Sequence, residues 1–237
     1  MNPPAKDLSK IASSDKVKKV QKDFEATHVR PQRLMKTLFT DEAYVKANVD
    51  EARLMRRLFD LACNMQSHDT DIQLYSLFTD EECYDLWSCN NLYWYLTHAC
   101  SPVTDGLMPY READLLRNIL DRADAALKEG KNQATLRFGH ESCLLPLVAL
   151  LELNHYGESY PDVEKLSEQW RAYDIFPMAS NVQFVFFHKK GSNDVLVKVL
   201  LNEKEAKLPV KTDVAPYYHW KDVESYYREK LDKYQHI

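Results

Sequence analysis

From residue 15 to residue 128 the apolar residues return every three or four positions, and beyond Gly130 that rhythm stops. A period near 3.6 buries one face only as a helix, and a period of two only as a strand. The stretch DEARLMRRLFDLACNMQ, 50–66, sets Leu54, Leu58, Leu61, Ala62 and Met65 on one stripe behind Asp50 as N-cap. TDEECYDLWSCNNLYWYLTHAC opens on Thr79, carries acids in its first turn and is stopped by Pro102. Its apolar residues cover more than one face, so neighbours on both sides are expected. READLLRNILDRADAALKEG carries Leu115, Leu116, Ile119, Leu120 and Leu127 and closes at Lys128 and Gly130. Residues 1–130 therefore read as a mostly helical domain that gives no strand to the main sheet.

Past Gly130, ATLRF reads as a short strand ending at Gly139. SCLLPLVALLEL reads as a buried helix, with Ser142 as N-cap and Pro146 in the first turn, where its missing donor matters little. NVQFVFFHKK and DVLVKVLLN are β-rich runs separated by GSN, the mark of a hairpin, and HWKDVESYYREKLDKY is a closing helix. Residues 131–237 thus read as the C-terminal part of an α/β domain. Two or three strands cover poorly a helix that is apolar nearly all round, so the N-terminal part of the sheet is expected to lie outside this sequence.

Composition excludes several classes. A net charge of -5 gives no reason to expect a nucleic-acid partner. No apolar run approaches the roughly 18 residues of a membrane span, so no transmembrane segment is expected, and the first twenty residues lack the apolar core of a secretory signal. Five glycines and no phosphate-loop or dinucleotide fingerprint argue against a nucleotide cofactor. Five cysteines without a Cys-x-x-Cys pair favour free, buried thiols, with a Cys83–Cys100 disulfide left open and no metal expected.

The chemistry concentrates in LRFGHESCLLPL, where a Gly-His-Glu corner joins two apolar runs. In α/β sheets, ligands collect at strand ends beside helix N-termini. There Gly139 would admit close approach, His140 would neutralise a phosphoryl oxygen, and Glu141 would protonate a leaving alkoxide. Ser142 opens the following helix, and Arg137 could contact phosphate or a neighbouring carboxylate.

These residues resemble the C-terminal signature of the histidine acid phosphatases of branch 2, the group that includes the multiple inositol polyphosphate phosphatases and phytases. That group carries Phe-Gly-His-Ala-Glu followed by Leu-Leu-Pro-Leu, or a His-Asp pair. YDIFPMASNVQFVFF resembles its Pro-Met-x-x-Asn strand entry, DVLVKVLLNEKEAKLPV its hairpin and the segment after it, and the helical stretch before Gly130 the inserted domain that lines the substrate cleft. The resemblance implies an enzyme that removes phosphates from inositol polyphosphates through a phosphohistidine, without a metal or cofactor. It implies His140 and Glu141 as catalytic residues, and Arg137, Gly139 and Ser142 as substrate-binding ones. Both catalytic side chains should open into a cleft from the C-terminal end of a strand, with phosphate near His140 and Ser142. The compartment is left open by the sequence; the resemblance would allow a periplasmic or secreted parent enzyme.

Two departures stand out. The nucleophile motif Arg-His-Gly-x-Arg-x-Pro does not occur, and THVRPQR at 27–33 has its residue types without its spacing. Glu141 sits where the His-Asp form has aspartate, while Ser142 stands where the His-Ala-Glu form has its acid. The rival reading is an inactive module that binds an anion or a partner. His28, His68, His98, His155, His188, His219 and His236 show no ligand spacing. The aromatics of LWSCNNLYWYL read as core and the lysines of DKVKKVQKD as a solvated face.

Overall fold

The computed structural model describes residues 7–130 and 133–234. Its elements, in chain order, begin with α1 (Leu8–Ala12), α2 (Asp15–His28), α3 (Gln32–Leu38), α4 (Glu42–Asn48), α5 (Glu51–Asn64), α6 (Asp80–His98) and α7 (Ala113–Glu129). They continue with α8 (Glu141–Leu150), α9 (Leu166–Gln169), α10 (Ala172–Ile175), β1 (Val182–His188), β2 (Val195–Leu201), β3 (Lys204–Glu205), β4 (Tyr218–His219) and α11 (Trp220–Tyr234). The fold is mixed, with substantial helix and one antiparallel sheet, and among the described residues no strand precedes Val182. Packing divides the chain into a unit of residues 18–93 and a second unit made of 1–17 and 94–237. Helices 94–129 therefore pack with the C-terminal half rather than with the helices before them.

In the first unit the caps fall where the sequence places them. The Asp50 side chain accepts from the Arg53 amide at the start of α5. Thr79 and Glu82 form a reciprocal capping box on α6: the Glu82 amide donates to Thr79 Oγ1 at 3.2 Å and the Thr79 amide to Glu82 Oε2 at 2.9 Å. Of the expected α5 stripe Ala62 is buried, Leu54, Leu58 and Met65 are half-buried and Leu61 faces water, while Met55, outside the stripe, is fully buried. The lysines at 16, 18, 19 and 22 are exposed, with Lys19 paired to Asp23 one turn on.

In the second unit, α8 is the centre. Leu145 to Leu150 are all buried, and the helix ends in a Schellman motif. The Glu152 amide donates to Ala149 O at 3.1 Å and the Leu153 amide to Val148 O at 3.2 Å, with Glu152 at φ 52°. Glycine is required nearby: a Cβ at Gly157 would meet Glu152 Cα at 2.9 Å and its Cγ at 2.5 Å. α11 closes over this end, where the Tyr227 hydroxyl donates to Leu151 O and the Lys230 ammonium to Leu150 O, each at 2.7 Å. Arg228 joins α11 to Asp121 and Asp124 of α7, and Trp220 Nε1 donates to Asp124.

The sheet is built on β2. β1 pairs with it along its length, from Val182 opposite Leu201 to His188 opposite Val195, while β3 and β4 add two residues each. The β2–β3 turn puts both Asn202 and Glu203 at positive φ, the backbone of a tight hairpin. Val197, Val199 and Leu201 alternate into the core against α11, as a strand with one solvated face must.

Three expectations fail. ATLRF is not a strand: 133–140 have no regular structure and are exposed, with Leu136 at 75% and Phe138 at 94%. Apolar propensity supplies no ladder partner, and among the described residues none lies beside this segment. Ser142 is not the N-cap of α8; His140 is, through its backbone carbonyl, which accepts from the Cys143 and Leu144 amides. Pro146 accordingly falls beyond the first turn, inside the helix. Of the five cysteines, all free, only Cys89 is fully buried and Cys63 and Cys143 are exposed.

α6 ends in the second unit, at a buried His98 whose ring lies 4.7 Å from that of Trp94 and whose Nδ1 is 2.7 Å from Thr97 Oγ1. Burial lowers its pKa from 6.5 to about 4, helped by Arg111. Below pH 6.5 the unfolded chain takes up this proton while the folded one does not until about 4. Stability should therefore fall across that window, by on the order of 3 kcal/mol at its lower end. Urea denaturation at a series of pH values checks this: a His98→Gln variant should lose that part of the pH dependence. Gly157→Ala should cost about 1–3 kcal/mol at neutral pH, because Glu152 lies in a buried helix end that cannot retreat.

Candidate functional site

The sequence-singled residues lie in one short run around the start of α8. His140 is the residue from which the helix departs, with φ −114° and ψ 164°, and its side chain is exposed. Glu141, the first helical residue, is exposed, and Ser142 is half-buried without capping the helix. The amides of Glu141 and Ser142 precede the first intrahelical bond, which the Cys143 amide makes to His140 O at 3.0 Å. Gly139 meets nothing within 4 Å at the position a Cβ would take, so no described backbone demands a glycine there. Arg137 donates from Nη2 to Asn118 Oδ1 of α7 at 2.8 Å.

The expected strand end is therefore an exposed, irregular approach to a helix N-terminus. Shallow concavities lie along α11, at Lys221, Glu224, Arg228 and Asp232, and between α7 and α11, at Asp124, Leu127 and Trp220. Neither includes residues 137–142.

The structure adds neighbours that spacing did not suggest. The 3-10 turn Met108–Glu112 packs against α8, bringing Arg111 and Glu112 towards its first turn. Charges on Arg111 and Glu141 both act on the His98 ring, so the two belong to one neighbourhood. Glu112 is half-buried; burial raises its carboxyl, opposed by Arg111 and by a hydrogen bond with the Cys143 thiol. About thirty residues separate this turn from His140, and no motif announces it. Chemically, the set combines an exposed imidazole, a first-turn carboxylate, two leading amide donors, a guanidinium and a helix dipole. Such a set can hold an anion and deliver a proton to it.

THVRPQR is used elsewhere. Arg30 pairs with Glu81 and Asp85, and Arg33 with Glu82, while also donating to Leu77 O at 2.6 Å. His28 stacks on Phe24 at the end of α2. These arginines pin α6. Among the described residues no group of three or more His, Cys, Asp and Glu could hold a metal ion, and no helix is long and apolar enough to cross a membrane.

Comparison with known proteins follows the same line. The human protein Multiple inositol polyphosphate phosphatase 1 is 28% identical over 134 residues, 51% of this chain and 27% of that protein. The crystal structure of the Bifidobacterium longum multiple inositol polyphosphate phosphatase in complex with inositol hexasulfate superposes with a TM-score of 0.71. Identity there is 18%, over 92% of this chain and 55% of that one. The complex of the same enzyme with phosphate gives a TM-score of 0.62 at 19% identity, over 94% and 55%. Identities this low show the fold alone, and the chain spans little more than half of the structures it matches. The family profile of the histidine phosphatase superfamily (branch 2) matches residues 2–202. The chain belongs to that superfamily.

Proposed function

We propose that these residues form the proton-donating part of a histidine-type phosphatase acting on inositol polyphosphates. The observation that carries this reading is the family profile over residues 2–202, supported by relatives that are inositol polyphosphate phosphatases. His140, at the cap of α8, binds and stabilises the transferred phosphoryl group. Glu141 protonates the departing inositol oxygen, and the leading amides of α8 add donors for phosphate. Arg137, Gly139 and Ser142 belong to the same proposed site; Arg137 must leave Asn118 to reach a ligand there. Residues 1–130 are proposed as the helical part that lines the substrate cleft, and 131–237 as part of the catalytic α/β domain.

The nucleophile is not among these 237 residues, since no Arg-His-Gly-x-Arg-x-Pro motif occurs. That absence also favours a second reading, an inactive module that keeps only anion or partner binding. A general acid contributes about 10²–10⁴-fold, but only to a displacement that something else begins.

The chain alone should release no appreciable phosphate from inositol hexakisphosphate, whereas a chain that also carries the Arg-His-Gly segment should turn it over. Robust turnover by the 237 residues alone would overturn the assignment of the nucleophile. Calorimetric titration with inositol hexasulfate, which cannot be hydrolysed, tests the site itself. Loss of a charge-assisted hydrogen bond in His140→Ala should weaken binding by about 10- to 100-fold, and unchanged affinity would place the anion elsewhere.

A further inference from the structure

One cluster of ionisable side chains lies outside the candidate site and serves none of its chemistry. His219, in β4, is held at both ring nitrogens by carboxylates from two loops. Nδ1 is 3.0 Å from both oxygens of Asp194, at the end of the β1–β2 turn, and Nε2 is 3.0 Å from Oδ1 of Asp213. Carboxylates only accept, so an imidazole that satisfies both must carry a proton on each nitrogen.

We propose that Asp194–His219–Asp213 is a proton-operated latch. It ties the 211–214 loop to the sheet while the imidazole is doubly protonated, and releases the loop through Asp213 when Nε2 loses its proton.

The geometry decides which arm opens. A neutral imidazole keeps one N–H, and the better place for it is Nδ1, which faces both oxygens of Asp194. Asp194 is also fixed from behind, its amide donating to Ser192 Oγ at 3.0 Å within a turn that His188 Nε2 closes by donating to Ser192 O. Asp213 is the looser partner, with 84% of its side chain exposed against 52% for Asp194. Once Nε2 is bare, its lone pair faces a carboxylate oxygen, and the contact becomes repulsive.

The release is bounded. Tyr217 stays anchored, its ring edge-on to Phe187 of β1 and beneath the Lys198 ammonium of β2. Thr212 Oγ1 still donates to Tyr217 O at 2.7 Å. Asp194 faces the ring from the β1–β2 turn and Asp213 from the loop, and Leu196 of β2 lies opposite in the strand register.

The hydrogen bonds that the ring donates to Asp194 and then Asp213 raise the His219 pKa above its ordinary 6.5. The latch is therefore complete below pH 6.5 and opens as pH rises through the higher folded value. At the acid end it holds until Asp213 is protonated, and the bond to His219 keeps that carboxyl below its usual 3.8. All three groups are solvated, so added salt weakens the latch.

The test follows the His219 ring by NMR across pH in the full chain, with His219→Gln identifying its signal, alongside amide exchange at 212–214 corrected for intrinsic base catalysis. The expected result is a His219 midpoint above 6.5 that moves down in both Asp194→Asn and Asp213→Asn. Protection at Val214, whose amide donates to Thr212 Oγ1 within the loop, should fall with the same midpoint, while protection at Ser192 and Asp194 persists. In Asp213→Ala, which leaves Nε2–H no acceptor on the loop, the loop should exchange fast even at acid pH. The proposal is overturned by loop protection indifferent to the His219 titration, by the Asp194 side opening first, or by a midpoint that Asp213→Asn leaves in place. All three sites are at the surface, and an unchanged circular dichroism spectrum establishes that each variant is folded.

Discussion

The second unit depends on satisfying the buried C-terminal end of α8. A helix apolar on every side cannot finish in water, and its last carbonyls are buried with it. The Schellman motif takes up two acceptors, and α11 supplies the rest from Tyr227 and Lys230. An unmet buried carbonyl costs about 1–3 kcal/mol, so this end fixes where α11 can lie. Once α11 is placed, Arg228 and Trp220 tie it to α7, and β2 packs its alternating Val197 and Val199 beneath it.

The opposite end of α8 is left free to serve another purpose. Ten helical residues put His140 roughly 15 Å from the capped end, at the surface, with its dipole pointing outward. The rigid end holds the helix, and the exposed end presents it. Around that exposed end Arg111, Glu112 and Glu141 gather, and among the described residues no salt bridge closes between them, unlike the arginines of the first unit. Arg30 and Arg33 are drawn into carboxylates on α6 and become part of the packing. Two groups of charged residues that look alike in a linear sequence therefore have different consequences.

His98 and His219 make the same point about a single residue type. One is buried against Trp94 and is driven towards the neutral form by desolvation; the other sits between two carboxylates and is driven towards the charged form. Both appear in the sequence as isolated histidines without ligand spacing. The difference comes from the surroundings: burial, aided by Arg111, for one, and hydrogen bonds to Asp194 and Asp213 for the other.

What the sequence by itself determined was local: the helices at 51–64, 80–98, 113–129 and 220–234, the hairpin, the caps at Asp50 and Thr79, and the apolar character of α8. These follow from periodicity and from side chains that bond within a turn of themselves, and neither needs a partner elsewhere. The Gly-His-Glu corner was legible as a motif for the same reason, and it carried the family with it. The state of 134–138 was not legible, because a strand exists only beside another strand, and Leu136 and Phe138 have none among the described residues. Nor was the exact cap of α8, since His140 caps through its backbone, which any residue type can do. The approach of Arg111 and Glu112 to α8, the consumption of Arg30 and Arg33, and the clamp on His219 were decided only by tertiary structure. Each is an electrostatic contact between segments whose separation in sequence says nothing about their distance in space.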